Sequence, residues 1–131
     1  MTRRGLETVL CWYTVVLLAL YLPLETWASL PAGLLSPYYI VDLVGMALLA
    51  LGVAASFNAR PYSNPAILCA GYAWCAANGW RATADRLSLI NRGEPLPLGG
   101  IELAVVGGST LAAIFVTAAL AWQLWDGNTE R

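Results

Sequence analysis

Residues 66–86 read AILCAGYAWCAANGWRATADR, and the fold turns on whether this stretch spans a bilayer. Its apolar part, 66–80, is shorter than the roughly 20 residues that a spanning helix needs. A crossing therefore has to carry Arg81, and with it Asp85 and Arg86, toward the membrane boundary. A charge at the centre of a spanning helix costs about 2.5 kcal/mol or more, which makes any such charge a functional hypothesis by default. Arg81 is expected either to snorkel to the surface or to be buried among helices.

Working outward, three further apolar runs cover about 6–24, 38–57 and 101–125. Hydrophobic residues make up 59% of the 131 and charged residues only 11%, less than half the roughly 25% of a typical soluble domain. The expected fold is an all-α membrane protein, a compact bundle of four transmembrane helices at 6–24, 38–57, 66–86 and 101–125. These form a single transmembrane domain over 1–131. Pro23 is expected to end the first helix, and the apolar connection to Pro37 to lie on the membrane surface or fold over the helix ends. Segment 58–65, with two prolines, reads as a tight turn, and 91–100 as a Gly/Pro loop. Tyr38 with Tyr39, and Trp122 with Trp125, fit the aromatic belts found at membrane boundaries.

The amino-terminal MTRR before an apolar run resembles a signal peptide, but Trp27-Ala28-Ser29 makes a poor cleavage site, so a retained signal-anchor helix is expected. Arg3, Arg4, Arg60 and Arg131 fall on one side of the proposed bundle, against Arg86 and Arg92, with Arg81 close by, on the other. That bias puts both termini on the cytoplasmic side. All seven basic residues are Arg, a usage that suggests a GC-rich bacterial genome and hence a bacterial inner membrane.

The missing residue types narrow the chemistry. With no His, the commonest metal ligand and the usual general base near neutral pH are gone. With no Lys, a Schiff base is impossible. No catalytic residue, metal site or cofactor is assigned. Cys11, Cys69 and Cys75 lie inside apolar runs without a C-x-x-C spacing, as small apolar residues do. A net charge of −1 with no basic cluster argues against nucleic acid as a partner.

Helical spacing groups the polar residues. On the third run Gly71, Trp74, Asn78, Arg81 and Asp85 share a face, because steps of three and four are neighbours on one side of a helix. The second run aligns Asp42, Gly45, Leu49, Gly52 and Ser56, the fourth Glu102, Val106, Ser109, Ala113 and Thr117. The first run gives a weaker version with Glu7, Cys11, Thr14, Leu18 and Tyr21. Small residues such as Gly45, Gly52, Gly71, Gly107 and Gly108 let helix backbones approach closely in lipid. Asp42, Arg81 and Glu102 fall within about two turns of one membrane level. The expectation is one outer-leaflet cluster of Asp42, Asn78, Arg81, Asp85 and Glu102, with Asp42 and Arg81 as a structural ion pair or a ligand- or ion-binding site.

Three functions compete. The first is a non-enzymatic accessory, assembly or binding subunit of a membrane complex, embedded in the lipid bilayer as a homo-oligomer or beside other membrane subunits. It predicts an exposed small-residue face near Gly107, Gly108 and Ala112. The second is a lipid-binding protein or intramembrane enzyme at the outer leaflet. The third is a proton- or cation-conducting oligomeric channel or transporter component.

Overall fold

The computed structural model describes residues 3–58, 65–96 and 99–129, and those residues form four α-helices and no strand. They are α1 (Arg3–Ser29), α2 (Pro37–Asn58), α3 (Ala66–Asn91) and α4 (Gly100–Thr129). The turn expected between Asn58 and Pro65 with its Arg60, and the terminal Arg131, lie outside the described residues. Among the described residues three stretches are long and apolar enough to cross a membrane: Gly5–Trp27, Pro37–Asn58 and Gly100–Asp126. Only a minority of each is buried inside the chain, which suits helices solvated by lipid.

The first helix does not end at Pro23; it runs on to Ser29 with the proline inside it. Proline removes one backbone donor, and spanning helices tolerate this where Ser or Thr side chains and neighbouring helices satisfy the local backbone. Thr26 Oγ1 donates to the Leu22 carbonyl at 2.7 Å and meets Tyr39 Oη on α2 at 2.9 Å, which ties the segment after the proline to α2. The connection to α2 is correspondingly short, a 3-10 turn at Leu30–Ala32 and then Gly33, whose φ of 86° reverses the chain. Ser36 caps α2, accepting from Tyr39 N at 3.3 Å, and Pro37 takes the first helical position, where its missing N–H costs nothing.

The third helix extends past 86 to Asn91, 26 residues in all, or about 39 Å at 1.5 Å per residue. Gly93, with φ 73°, then turns the chain so that Glu94 N donates to the Leu89 carbonyl at 3.0 Å, a Schellman termination.

Extensive interfaces join consecutive helices: α1 on α2, α2 on α3, α3 on α4. The α2–α3 seam is built on glycine. A Cβ on Gly52 would stand 2.6 Å from Leu68 Cα, and one on Gly71 would stand 2.9 Å from Leu49 Cδ2. Leu49 and Leu68 fill those notches and are among the most deeply buried side chains. At α3–α4 Gly79 plays this part: any Cβ there would strike Thr110 Oγ1. The core cluster links Cys11 of α1, Leu49 and Val53 of α2, Leu68 and Tyr72 of α3, and Ala113 and Leu120 of α4. These pairings make every consecutive pair antiparallel. The start of α1, the ends of α2 and α4 and the start of α3 share one end of the bundle, here the near end. The opposite, far end holds the polar residues that matter most.

Candidate functional site

Among the described residues, two partly buried polar groups lie toward the far end, besides the exposed Arg92–Glu94 pair. In the first, α1 brings the Glu25 carboxyl group close to that of Asp42 of α2. Two bare carboxylates close together repel, so such an approach requires a shared proton or a nearby cation. Ser29 Oγ donates to Glu25 Oε1 at 3.3 Å, and the Tyr21 hydroxyl also reaches Glu25. Helix α3 closes the third side. Trp74 Nε1 donates to the Val41 carbonyl at 3.0 Å, and its indole fits because Gly45 has no side chain: a Cβ there would sit 3.0 Å from Trp74 Cδ1. The Cys75 thiol and Arg81, on the same helix, lie within electrostatic range of Asp42. The Arg81 guanidinium stands over the Tyr38 ring, 5.2 Å from its centroid, a cation–π placement.

The second group lies on the opposite side of α3. Arg86 Nε donates to Glu102 Oε1 at 2.7 Å, Arg86 Nη1 donates to the Ala82 carbonyl at 3.0 Å, and both side chains are largely covered. A turn below, Thr83 Oγ1 donates to the Gly79 carbonyl at 2.8 Å and faces Thr110 Oγ1 at 3.4 Å.

The five residues expected to form one cluster therefore separate. Arg81 points toward α2 and Arg86 toward α4, because five positions along a helix is well over a quarter-turn of azimuth. Glu102 takes Arg86 as its cation, not Arg81. Asp42 meets Glu25, and among the described residues no ion pair joins Asp42 to Arg81. Asn78 Nδ2 donates to Trp74 O of its own helix at 3.1 Å, and Asp85 is exposed. Of the glycines expected to pack, Gly45, Gly52 and Gly71 sit in the α2–α3 seam, a Cβ on Gly107 would meet only Thr83 Cγ2 at 3.8 Å, and one on Gly108 would meet nothing within 4 Å.

Glu25, Arg86 and Gly79 were missed. The signal for Glu25 was present: the stripe Glu7, Cys11, Thr14, Leu18, Tyr21 continues by one step of four to Glu25, and only the supposed stop at Pro23 hid it. Among the described residues no three His, Cys, Asp or Glu side chains converge as a metal site. No protein-family model, curated protein or solved structure matches the chain. The site must be read from its own chemistry: a carboxyl pair with a tyrosine and a thiol beside it, and an arginine at its rim.

Proposed function

We propose that this is a small protein of a bacterial inner membrane, crossing it four times with both termini in the cytoplasm. In this reading it is a non-enzymatic assembly subunit that binds a second copy of itself through α4. One observation carries the reading. Gly100, Ala104 and Gly108 recur every four residues on α4 and all three are exposed, with Ala112 half-buried one step further on. A Cβ on Gly100 or Gly108 would meet nothing within 4 Å. A face meant only for lipid needs bulk, whereas small residues at this spacing let two helices approach closely. The rest of the chain suits a structural role, since nearly all described residues are helical.

The test is dimerisation in liposomes, read by energy transfer between donor- and acceptor-labelled copies at low protein-to-lipid ratio. Wild type is expected to show transfer that Gly108→Leu reduces at least tenfold in affinity, with Phe115→Leu as an exposed control on the same helix. A monomeric wild type sinks the reading.

A second reading, lipid binding, is favoured by Arg81. Its exposed guanidinium lies over Tyr38, beside the exposed Trp80, a suitable seat for an anionic headgroup.

A further inference from the structure

The inward stripe of α1 places a carboxylic acid near each end of one helix. Glu7 is 8% exposed, next to the near end, and Glu25 belongs to the far-end pair. Eighteen residues separate them, about 27 Å along the axis, close to the roughly 30 Å hydrocarbon thickness of a bilayer. Between them the stripe carries Cys11 and Thr14, at 1% and 0% exposure. Buried polar groups in lipid are costly and rarely idle.

Neighbouring helices fill the gaps. Thr14 Oγ1 donates to the Leu10 carbonyl at 2.7 Å, so the 2.7 Å contact with Tyr72 of α3 has the Tyr72 O–H donating to Thr14. Below it, Ser56 Oγ of α2 is sealed beside the Cys11 thiol and finds no partner of good hydrogen-bond geometry among the described residues. Above it, Leu18 interrupts the stripe on α1, and α3 supplies Cys75 one turn beyond Tyr72, within electrostatic range of both Tyr21 and Asp42.

We propose that this file is a proton path through the α1–α2–α3 interface of a single chain, running from the Glu25–Asp42 pair to Glu7. The pair releases a proton toward Tyr21 and Cys75, and bridging water passes it to Tyr72. Thr14 first turns its own O–H from the Leu10 carbonyl toward the Ser56 hydroxyl and the Cys11 thiol, and releases that proton as it accepts the hydroxyl proton of Tyr72, which takes the new one from the water. The proton passed on through Ser56 and Cys11 is taken up by the Glu7 carboxylate, which delivers it to the near-side water. Every hydroxyl gains one proton and loses one, and a transmembrane pH difference drives the flow. Arg81 is the fixed cation at the far mouth. The path needs no second copy and stands whether or not α4 has a partner.

The experiment reconstitutes the purified full chain in liposomes with a trapped pH dye, clamps the potential with valinomycin and potassium, and imposes a pH step. Wild type is expected to exceed protein-free vesicles at least tenfold. Tyr72→Phe and Thr14→Val should each cut that flux at least tenfold, Glu25→Gln with Asp42→Asn should abolish it, and Thr14→Ser, which keeps the hydroxyl, should retain it. Asp85→Asn, off the file, should leave it unchanged. Far-UV circular dichroism and elution volume confirm that each variant is folded. A wild-type flux no greater than that of empty vesicles, or a folded Tyr72→Phe that conducts like wild type, overturns the path.

Discussion

Gly52 and Gly108 are chemically the same residue in two opposite situations. At Gly52 a Cβ would stand 2.6 Å from Leu68 Cα and 2.7 Å from Leu68 N, both backbone atoms that cannot swing aside. At Gly108 nothing lies within 4 Å. A side chain forced into a packed seam costs about 1–3 kcal/mol, sometimes more, whereas a change at an open surface position stays within about 0.5 kcal/mol. Gly52→Val is therefore expected to lower the stability of the isolated chain by about 2 kcal/mol or more. Gly108→Ala should leave it unchanged when both are measured by reversible unfolding in mixed micelles. Equal losses for the two would mean that α2 and α3 do not meet at this glycine.

At the level of the helices, α3 is the organiser, presenting one face to α2 and another to α4. Arg86 and Glu102 tie the second of these interfaces with side chains that are 28% and 13% exposed. Exposed pairs contribute roughly 0–1 kcal/mol and fully buried ones cost roughly 3–5 when halved. Glu102→Gln should fall between, at about 2 kcal/mol, and adding Arg86→Gln should cost less than the two single losses combined. Additive losses in that double-mutant cycle would remove the pair from the α3–α4 interface. Much of this element-level picture was legible in the sequence, because apolar run length and the three-four stripes that carry Gly45 and Gly52 on α2 and Gly71 on α3 are local properties of each helix. Partner choice was not legible. Arg81 and Arg86 look alike in a linear reading, and only the placement of α2 and α4 on different sides of α3 decides which acid each one meets. Pro23 misled for a related reason: its usual meaning as a helix stop carries less weight inside a long apolar run, where the segment after it is held by its neighbours, here Thr26 with Tyr39 of α2.

For the whole molecule, the antiparallel register bears on the membrane topology proposed above. Cys69 Sγ donates to the Thr117 carbonyl at the near end of α3, and Arg86 meets Glu102 at the far end. Helix α2 delivers the chain to the near end and α4 starts from the far end, while both are apolar enough to span. If α2 and α4 both span as proposed, running the same way, the connecting helix has to cross as well, although α3 is not among the stretches apolar enough to span on composition alone. Its charges make that affordable by position: Arg81, Asp85 and Arg86 all sit in its far-end half, where Arg81 reaches Tyr38 and Arg86 reaches Glu102. The prediction uses a variant with Cys11, Cys69 and Cys75 replaced by alanine, into which Asn58→Cys or Glu94→Cys is introduced. A membrane-impermeant maleimide applied to intact spheroplasts should label Glu94→Cys and reach Asn58→Cys only after permeabilisation. The reverse pattern would invert the orientation drawn from the arginines and keep four spans. Labelling of both sites from one side would mean that α3 does not cross, and a bilayer-spanning proton file beside it would then lose its far mouth.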